Sequence, residues 1–239
     1  MSKSYTLKHI AFIMDGNGRW AKAKGLPRHL GHKAGCDRIT DVYHECRDKG
    51  IKAISLYAFS TENWNRPKAE INHLFNYLEI FFKKEIDNMY KDGTRIIVSG
   101  DISKLPVKTQ KTINDAIEKT RDCSNLIFNI CLNYGGRDEI VRAAKLFAED
   151  VKNGKDINSL TEESFNDYLY TKDLPPVDLL VRTGGDQRTS NYLPYQLVYA
   201  EMVFPKVYWP DFTKEELNKV IDEYYKRDRR FGGISDEEK

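Results

Sequence analysis

A carboxylate, two glycines and a run of cations follow one short apolar segment near the start of the chain. Five apolar residues lead up to Asp15, and Gly16, Asn17 and Gly18 follow it. From Gly16 to Cys36 there is no acidic residue, but there are five basic residues and two histidines: Arg19, Lys22, Lys24, Arg28, His29, His32 and Lys33. Glycines allow positive φ angles and let backbone N–H groups converge on an anion. The segment is therefore predicted to bind an oxyanion such as phosphate.

Asp15 does not fit a simple phosphate site, because it would repel a phosphate held by the neighbouring turn. A divalent cation between the two groups removes this conflict. Magnesium in proteins is usually held by one or two carboxylates together with substrate phosphates. The pattern therefore predicts that Asp15 binds Mg²⁺ beside a phosphorylated substrate, and the cations that follow are more than one phosphate needs.

Three other interpretations of the segment compete. Residues 16–21 fit the permissive dinucleotide-binding fingerprint, but the next predicted strand ends in Tyr57-Ala58-Phe59, without an acid for the ribose. A calcium-binding EF-hand loop starting at Asp15 would need glutamate at its twelfth position, where Leu26 stands. A plain surface turn with solvated lysines stays open, because clustered charges usually form a solvated face.

Composition predicts a single globular domain over residues 1–239, with flexible ends at 1–8 and 234–239. The chain has 239 residues, 40% of them hydrophobic, and a net charge of only +2. The basic cluster is thus a local site, and nucleic acid is not a predicted partner. The polar start and the short apolar run predict neither a signal peptide nor a membrane span, so we expect a cytoplasmic protein.

The four cysteines lack the spacing of metal ligands, and they are predicted to be reduced thiols in the core. They lie far apart in apolar or helical surroundings, at Cys36, Cys46, Cys123 and Cys131.

Apolar runs and helical patterns alternate along the chain. Strands are predicted at 10–14, 51–59, 95–100, 126–134, 177–182 and, less clearly, 207–209. Helices are predicted at 34–49, 67–91, 107–121, 138–152 and 213–227. This order predicts an α/β fold with a central, mainly parallel sheet of about six strands flanked by helices.

Two later predicted strands also end in polar loops, and in a parallel sheet these loops would share one edge with Asp15. The first loop, residues 59–67, carries Ser60, Thr61, Glu62, Asn63, Trp64, Asn65 and Arg66. Each of these residues alone is more often structural, for example as a helix cap. Together they suit a phosphorylated substrate with an apolar part.

The second loop, residues 182–191, contains two arginines whose planar forks suit phosphate oxygens, Arg182 and Arg188, with Ser190 close behind. Glu201 follows in an apolar neighbourhood, where an ionised carboxylate needs a cation or hydrogen bonds. It is a candidate second acid for the metal, although a surface glutamate explains it nearly as well.

The predicted helix 67–91 carries an apolar stripe at helical spacing: Ile71, Leu74, Phe75, Leu78, Phe81, Phe82, Ile86 and Met89. Packing against the sheet explains part of this stripe. Its aromatic content also allows it to form one wall of an apolar channel, and the pattern alone does not decide between the two.

Taken together, these segments resemble the cis-prenyltransferases, the family of the bacterial undecaprenyl diphosphate synthases. The matching segments cover almost the whole chain: MDGNGRWA, residues 28–35, LYAFSTENWNRP, LNYGGRDEI, RTGGDQRTSN, VYWPDF and the terminal RDRRFGG. The resemblance implies a homodimeric, Mg²⁺-dependent enzyme with a parallel-sheet core and an apolar tunnel. Such an enzyme adds isopentenyl diphosphate units to an allylic diphosphate, such as farnesyl diphosphate. The product is a long polyprenyl diphosphate, such as undecaprenyl diphosphate, which passes to the membrane.

The resemblance also implies roles for individual residues. Asp15 and Glu201 would bind Mg²⁺, and Asn63 would be the proton acceptor. The allylic diphosphate would be held by Gly16, Asn17, Gly18, Arg19, Arg28 and His32. The substrates would be positioned by Trp20, Ser60, Thr61, Glu62, Trp64 and Arg66. Isopentenyl diphosphate would be bound by Arg182, Arg188, Thr189 and Ser190.

Some features leave alternatives open. Asn63 is a weak candidate for a base, because an amide is barely basic, and it could instead orient the group that takes the proton. Asp186, Gln187 and Pro194-Tyr195 depart from the family pattern around the second substrate and the dimer contact. The resemblance places Leu126 toward the tunnel floor.

The product and the role of the chain also have alternatives. A dehydrodolichyl-type or shorter-chain synthase is one, and a non-catalytic accessory subunit of the same fold is another. The silent subunit is disfavoured by retention of five residues, because such a subunit needs no metal site: Asp15, Asn63, Arg182, Arg188 and Glu201. The terminal segment 227–233 is expected to reach the partner subunit's site in a dimer.

Overall fold

Six parallel strands form one sheet in the computed structural model, which describes residues 6–227 of the chain. The strands are β1 (His9–Ile13), β2 (Ala53–Ser60), β3 (Thr94–Ser99), β4 (Leu126–Tyr134), β5 (Leu179–Arg182) and β6 (Glu201–Val203). Their order in the sheet is β3-β4-β2-β1-β5-β6, and every neighbouring pair is parallel. The predicted α/β fold with about six mainly parallel strands is confirmed.

Helices connect the successive strands from β1 to β5, β5 and β6 are joined without an α-helix, and one further helix follows β6. They are α1 (Asn17–Ala23), α2 (Arg28–Asp48), α3 (Lys68–Lys91), α4 (Val107–Thr120), α5 (Gly136–Lys152), α6 (Glu162–Phe165) and α7 (Lys214–Lys226). Helix α2 begins earlier than predicted, directly after Pro27, whose fixed φ suits a helix start. Helix α1 was not predicted at all. Only Gly16 has a positive φ (99°) there, whereas Gly18 is helical, so the expected glycine turn is a single residue.

The strand predicted at 207–209 is wrong. Residues 207 and 208 lie in a loop that leads into a short 3₁₀ turn, Trp209–Asp211. Trp209 is 1% exposed and stacks on Phe212, and its Nε1 donates to the carbonyl oxygen of Gly35 in α2. The apolar residues of this segment are therefore buried by side-chain packing against α2. The sixth strand is β6, which pairs with β5.

The sheet is covered on both faces, which explains the continuous apolar runs of its strands. In β1, Ile10 and Phe12 face one core cluster and Ala11 and Ile13 face the other. The first cluster also contains the predicted set on β4 (Leu126, Phe128 and Ile130), together with the apolar stripe of α3. The residues at every second position of the strands thus pack with the apolar stripe of α3 in one core.

A line of hydrogen bonds crosses four strands inside this sheet. His9 Nε2 lies 2.8 Å from Ser55 Oγ, Asn129 Nδ2 donates to the same hydroxyl at 2.9 Å, and Ser99 Oγ donates to Asn129 Oδ1 at 3.0 Å. All four residues are at most 1% exposed. Burial lowers the pKa of His9 to about 4, so the ring is neutral at pH 7.

The prediction of a flexible start through residue 8 is wrong for its last part. Leu7 is 2% exposed, and the N–H of Lys8 donates to Asp178 at 2.8 Å, so both residues belong to the packed fold. Residues 1–5 and 228–239 lie outside the described residues. These include the predicted flexible end at 234–239 and most of the terminal segment 227–233. Within the described residues, no helix is both long and apolar enough to span a membrane.

The prediction of four core thiols holds for two of them. Cys46 and Cys131 are buried and unpaired, whereas Cys36 and Cys123 are only partly buried. Cys36 lies on α2, where it lines the cavity described below. Burial raises the pKa of its thiol to about 12, so Cys36 is an uncharged, apolar wall residue at pH 7.

Candidate active site

The carboxyl ends of β1, β2, β4 and β5 surround one cavity of about 590 Å³. Its polar mouth contains most of the residues predicted from the sequence: Asp15, Gly16, Asn17, Gly18, Arg28, His32, Ser60, Glu62, Asn63, Arg66, Arg182 and Ser190. The three polar loops therefore meet at one edge of the sheet, as expected for parallel strands. Residues 16–18 all line this cavity, which argues against their interpretation as a plain surface turn.

Asp15 is held in place at the centre of the mouth. Its Oδ1 accepts the N–H of Gly16 at 2.6 Å, and its Oδ2 accepts Arg182 Nη2 at 2.8 Å. Burial alone would raise the pKa of Asp15, but these hydrogen bonds and the charges of Arg182 and Arg19 outweigh it and lower the pKa. Asp15 is therefore a fixed anion that still has 30% of its side chain exposed.

Glycine is required at position 16. A Cβ atom there would lie 2.6 Å from Tyr208 Cδ1, and the φ of 99° disfavours other residues. Gly31 and Gly35 of α2 have a related role, because a Cβ at either would lie within 2.3 Å of an oxygen of Asn17. These small residues let α2 pack directly on the segment that follows Asp15.

Arg182 does not present the free guanidinium fork expected from the sequence. It is 4% exposed, and its Nη1 donates to the carbonyl oxygen of Arg188 at 2.6 Å and to Ser190 Oγ at 2.7 Å, while Nη2 is bonded to Asp15. Only Nε is buried without a hydrogen-bond partner. Arg182 therefore links Asp15 to the loop after β5.

Arg19 and Arg188 are the exposed cations on this side of the mouth, with 44% and 61% of their side chains exposed. Both pair with Asp186, at 3.0 Å for Arg19 and 3.1 Å for Arg188. Arg19 also donates to the carbonyl oxygen of Gly184 at 2.9 Å. Asp186 thus supplies an acid that the segment after Asp15 lacks. Both arginines have exposed nitrogens that can turn toward a diphosphate.

Glu70 organises the cations on the other side of the mouth, and the sequence reasoning missed it. Its Oε1 accepts Arg28 Nε at 3.1 Å and Arg66 Nη1 at 3.2 Å, and it lies 3.3 Å from His32 Nε2. Burial and the nearby charge of Arg66 lower the pKa of His32 to about 4, although Glu70 acts in the opposite direction. His32 is therefore a neutral ring at pH 7. An acid one helical turn after Arg66 was the signal in the sequence that could have identified Glu70.

Asn63 lies in a short 3₁₀ helix, Thr61–Asn65, which we call the 61–65 turn. The backbone N–H of Ser60 donates to Asn63 Oδ1 at 3.2 Å, so this oxygen already caps the turn. Trp64 packs edge-on against Phe59, and its Nε1 donates to Asn133 Oδ1 at 2.7 Å. Ser60 caps this turn and not α3, whose N-cap is Pro67.

Besides Arg19, Trp64 and Arg188, three more predicted residues do not line the cavity: Trp20, Thr61 and Thr189. Trp20 Nε1 donates to Asp211 Oδ1 at 2.8 Å, and the carbonyl oxygen of Thr189 accepts the N–H of Tyr192 at 3.1 Å. These contacts give them supporting positions in the loops around the mouth.

Glu201 is not brought near Asp15. It begins β6 and pairs in register with Leu179 at the start of β5, whereas Asp15 follows the end of β1. At about 3.3 Å per residue, this places the two carboxylates on the order of 15 Å apart along the strands. Glu201 Oε2 instead accepts Arg227 Nη1 at 2.8 Å. Within one chain, Asp15 and Glu201 therefore do not form one metal site. Residues 6–227 contain no group of three or more His, Cys, Asp or Glu side chains that could hold a metal ion.

The inner part of the cavity is apolar. Leu74, Phe75 and Leu78 of α3 form one wall, so the stripe of α3 both packs in the core and lines the cavity. Ile39 and Ile130 also line this part. Phe128 closes the next layer, stacked on Phe81, and Leu126 lies beyond it with 1% of its surface exposed. The cavity thus includes Ile130 but neither Phe128 nor Leu126, and a tunnel that continues past them stays a prediction.

Comparisons with known proteins agree with one another. Residues 13–232 match a family model that describes undecaprenyl diphosphate synthases. The isoprenyl transferase of Clostridium perfringens is 51% identical over 228 residues, which are 95% of this chain and 90% of the relative. The farnesyl-diphosphate-specific ditrans,polycis-undecaprenyl-diphosphate synthase of Lactiplantibacillus plantarum is 44% identical over 232 residues, 95% of this chain and 90% of the relative.

Two solved structures share the fold over nearly the whole chain. Lavandulyl diphosphate synthase from Lavandula x intermedia, in complex with dimethylallyl diphosphate, has a TM-score of 0.91 and 31% identity, and covers 94% of this chain and 98% of its own. A probable undecaprenyl diphosphate synthase from Campylobacter jejuni has a TM-score of 0.78 and 37% identity, with coverage of 95% and 99%.

Proposed function

Because the chain belongs to the undecaprenyl diphosphate synthase family, we propose that it is a Mg²⁺-dependent cis-prenyltransferase that makes a long polyprenyl diphosphate. It condenses isopentenyl diphosphate onto an allylic diphosphate, and farnesyl diphosphate is the proposed primer. The observation that carries this proposal is the cavity at the carboxyl ends of the strands, which has a cationic mouth around Asp15 and an apolar interior. A prenyl diphosphate has the matching shape, with a charged head and a hydrocarbon tail.

The two cationic clusters at the mouth suit the two diphosphates. We assign the allylic diphosphate to Arg28, His32 and Arg66, because these residues surround the entrance to the apolar part of the cavity. The N–H groups of the first turn of α1 have no intrahelical partners and can support it. We assign isopentenyl diphosphate to Arg188 and Ser190, with Thr189 beside them.

Asp15 fits a magnesium ion that arrives with a substrate diphosphate. It is a carboxylate with a lowered pKa, it lines the cavity, and part of it is exposed. Most ligands of a protein-bound magnesium ion are water molecules and phosphate oxygens, so one protein carboxylate is enough. When bound, the ion would neutralise charge on a diphosphate. Glu201 does not share this site within one chain, so its proposed role as a ligand could apply only through a partner subunit.

The residues at the mouth can stabilise the charge that develops in the reaction. The bond from C1 of the allylic substrate to its diphosphate breaks as the double bond of isopentenyl diphosphate attacks C1, so negative charge grows on the leaving group. Arg28 and Arg66 lie where they can bind this group. One proton must then leave the new chain. Asn63 Oδ1 is already engaged by Ser60, so we propose that the NH₂ group of Asn63 orients the oxygen that accepts the proton.

Incubation with radiolabelled isopentenyl diphosphate, an allylic primer and Mg²⁺, followed by butanol extraction, tests the function. Labelled polyprenyl products are expected, and their absence with farnesyl, geranyl and dimethylallyl diphosphate as primers would contradict it. Chain lengths from the same extract separate a long-chain enzyme from a shorter-chain or dehydrodolichyl-type synthase. A purified chain that makes product without another protein is not an accessory subunit.

Arg188→Ala is expected to raise the KM for isopentenyl diphosphate about tenfold to a hundredfold. The loss of a charged hydrogen bond is worth about 1.5–3 kcal/mol, and the KM for the allylic primer should change little. Steady-state kinetics with each substrate varied in turn measures both constants. Arg121→Ala is the matched control, because Arg121 is equally exposed but lies at the end of α4. An equal rise in both KM values would contradict the assignment.

Leu126→Ala is expected to shift the products to longer chains. Each CH₂ buried by the growing chain contributes about 0.8 kcal/mol, so the chain stays bound until a wall stops it. Because Phe128 stands between the present cavity and Leu126, the chain must first displace this layer. Reversed-phase thin-layer chromatography resolves the lengths.

The cavity left by this substitution also costs about 2–5 kcal/mol of stability. Leu169→Ala controls for this cost, because Leu169 is equally buried (2%) but does not line the cavity. An unchanged product distribution from a folded, active Leu126→Ala variant would exclude Leu126 as the stop.

We further propose that the enzyme is a cytoplasmic homodimer that delivers its product at the membrane surface. Arg227, the last described residue, is fixed to Glu201 of β6. The terminal segment continues from this edge of the sheet, and we propose that it reaches the partner subunit. Its deletion should lower activity without unfolding the chain.

A further inference from the structure

Two asparagines that the assignments above do not use each form a hydrogen bond to the 61–65 turn. Asn133 Oδ1 accepts Trp64 Nε1 at 2.7 Å, and Asn191 Nδ2 donates to Glu62 Oε1 at 3.1 Å. Asn133 lies near the end of β4, and Asn191 follows the loop after β5. The turn that carries Asn63 is therefore tied to two different parts of the sheet edge.

Both asparagines are themselves fixed. Asn133 is 4% exposed, and its Nδ2 donates to the carbonyl oxygen of Asp101 at 2.7 Å. Asn191 Oδ1 accepts the N–H of Arg137 at 2.9 Å, and its carbonyl oxygen accepts the N–H of Gly136 at 2.8 Å. Each side chain thus binds the turn with one end and the rigid sheet edge, or the start of α5, with the other.

The backbone at both positions is unusual. Asn133 has a φ of 46° and Asn191 a φ of 63°. Few residues other than glycine adopt this left-handed region, and asparagine is among those that do so most readily. An unfavourable backbone that is kept at two points beside one turn indicates a role for the side chains it presents.

We propose that Asn133 and Asn191 are positioning residues that fix the 61–65 turn and thereby aim Asn63 into the cavity. Asn63 moves together with the turn, because its Oδ1 accepts the N–H of Ser60 and its carbonyl oxygen accepts the N–H of Arg66 at 3.0 Å. A turn released from either asparagine would move both Asn63 and Arg66. The inference rests on the proposed function, which gives Asn63 its task in proton loss.

Glycine variants remove the two side chains without straining the backbone, because glycine accepts positive φ. Asn133→Gly and Asn191→Gly are each expected to lower kcat about tenfold, with smaller changes in the KM for either diphosphate. Deuterium uptake by peptides that cover residues 60–66 should rise in both variants. Asn125→Gly is the matched control: Asn125 Nδ2 also donates to a backbone carbonyl, that of Asp92 at 2.9 Å, but at the opposite end of β4. It should change neither quantity.

Unchanged turnover in both folded variants would overturn the proposal. Lower turnover without faster exchange in residues 60–66 would overturn it as well, because the asparagines would then act by another route. If a glycine variant does not fold, Trp64→Phe and Glu62→Ala remove the same two hydrogen bonds from the side of the turn, with the same expected rise in exchange. The exchange measurement needs no substrate, so it tests the proposal even if the wild-type protein makes no polyprenyl product.

Discussion

Asp15→Asn is expected to lower kcat by about a thousandfold or more, while the protein still folds. The amide keeps an oxygen that can accept a hydrogen bond from Arg182 or Gly16, but it removes the negative charge that a magnesium ion needs. The loss of a metal contact is worth several kcal/mol of transition-state stabilisation, and each 1.36 kcal/mol is a factor of ten. Turnover at saturating substrates, measured across a titration of Mg²⁺, gives the effect.

The matched control for this substitution is Asp115→Asn. Asp115 is an exposed acid of α4 that pairs with Lys111, so its loss should leave turnover unchanged. Near-normal turnover of Asp15→Asn at saturating Mg²⁺ would show that Asp15 does not bind the metal. Alanine at this position is a poorer test, because it would also leave buried Arg182 without its acceptor.

Arg182→Met is expected to affect stability and activity together. The change leaves Asp15, Ser190 and the carbonyl oxygen of Arg188 without their shared donor. Breaking such a pair costs about 3 kcal/mol, which corresponds to a melting temperature lower by about 6–12 °C. We also expect kcat to fall, because Asp15 is no longer held in place.

Thermal unfolding of the wild type, Arg182→Met and Arg188→Met separates the two arginines. Arg188 has an exposed side chain, so its replacement should leave the melting temperature within about 2 °C of the wild type, since surface changes are usually within about 0.5 kcal/mol. If Arg182→Met is stable and only raises the KM for isopentenyl diphosphate, Arg182 binds the phosphate directly, as expected from the sequence.

Because of the pair of Asp15 and Arg182, the stability difference between the wild type and Arg182→Met should depend on pH. Although burial alone would raise it, the pKa of folded Asp15 lies below its ordinary value of 3.8, chiefly because Arg182 and the Gly16 N–H donate to it. The stabilisation is therefore fully present above the unfolded pKa and is lost as the pH falls through the folded pKa. The difference between wild type and Arg182→Met should be constant near neutral pH and shrink below about pH 4.

The sheet and the meeting of its loops followed from local patterns. Residues 10–14 are apolar on both faces, and in a parallel sheet such strands deliver their last residues to one edge. This placed Asp15 and Arg182 at the same edge of the sheet before any contact was known. The same reasoning failed at 207–209, because a run of three residues with a tryptophan satisfies core packing as well as a strand.

Contacts between distant segments were beyond the sequence. Glu70 could be read as an ordinary helix-surface acid, and only the packing of α3 against α2 brings it to His32 and Arg28. Glu201 shows the converse: an acid in an apolar neighbourhood suggested a metal ligand beside Asp15, whereas within one chain it pairs with Arg227 at the start of β6. Charge patterns identify groups that need partners, whereas tertiary structure decides which partners they find.

The line of hydrogen bonds from His9 to Ser99 fixes the register of the strands and thereby the positions of the active-site loops. Strands can slide past one another only in whole residues, and a slip by one residue turns every side chain to the opposite face. Ser55 and Asn129 make any slip of β2 or β4 costly, because each would leave a buried polar group unpaired. The loops after β1, β2 and β4 therefore leave the sheet at fixed positions relative to one another. The relative positions of the residues at the mouth of the cavity therefore depend on buried polar side chains inside the sheet, several residues away from the substrates.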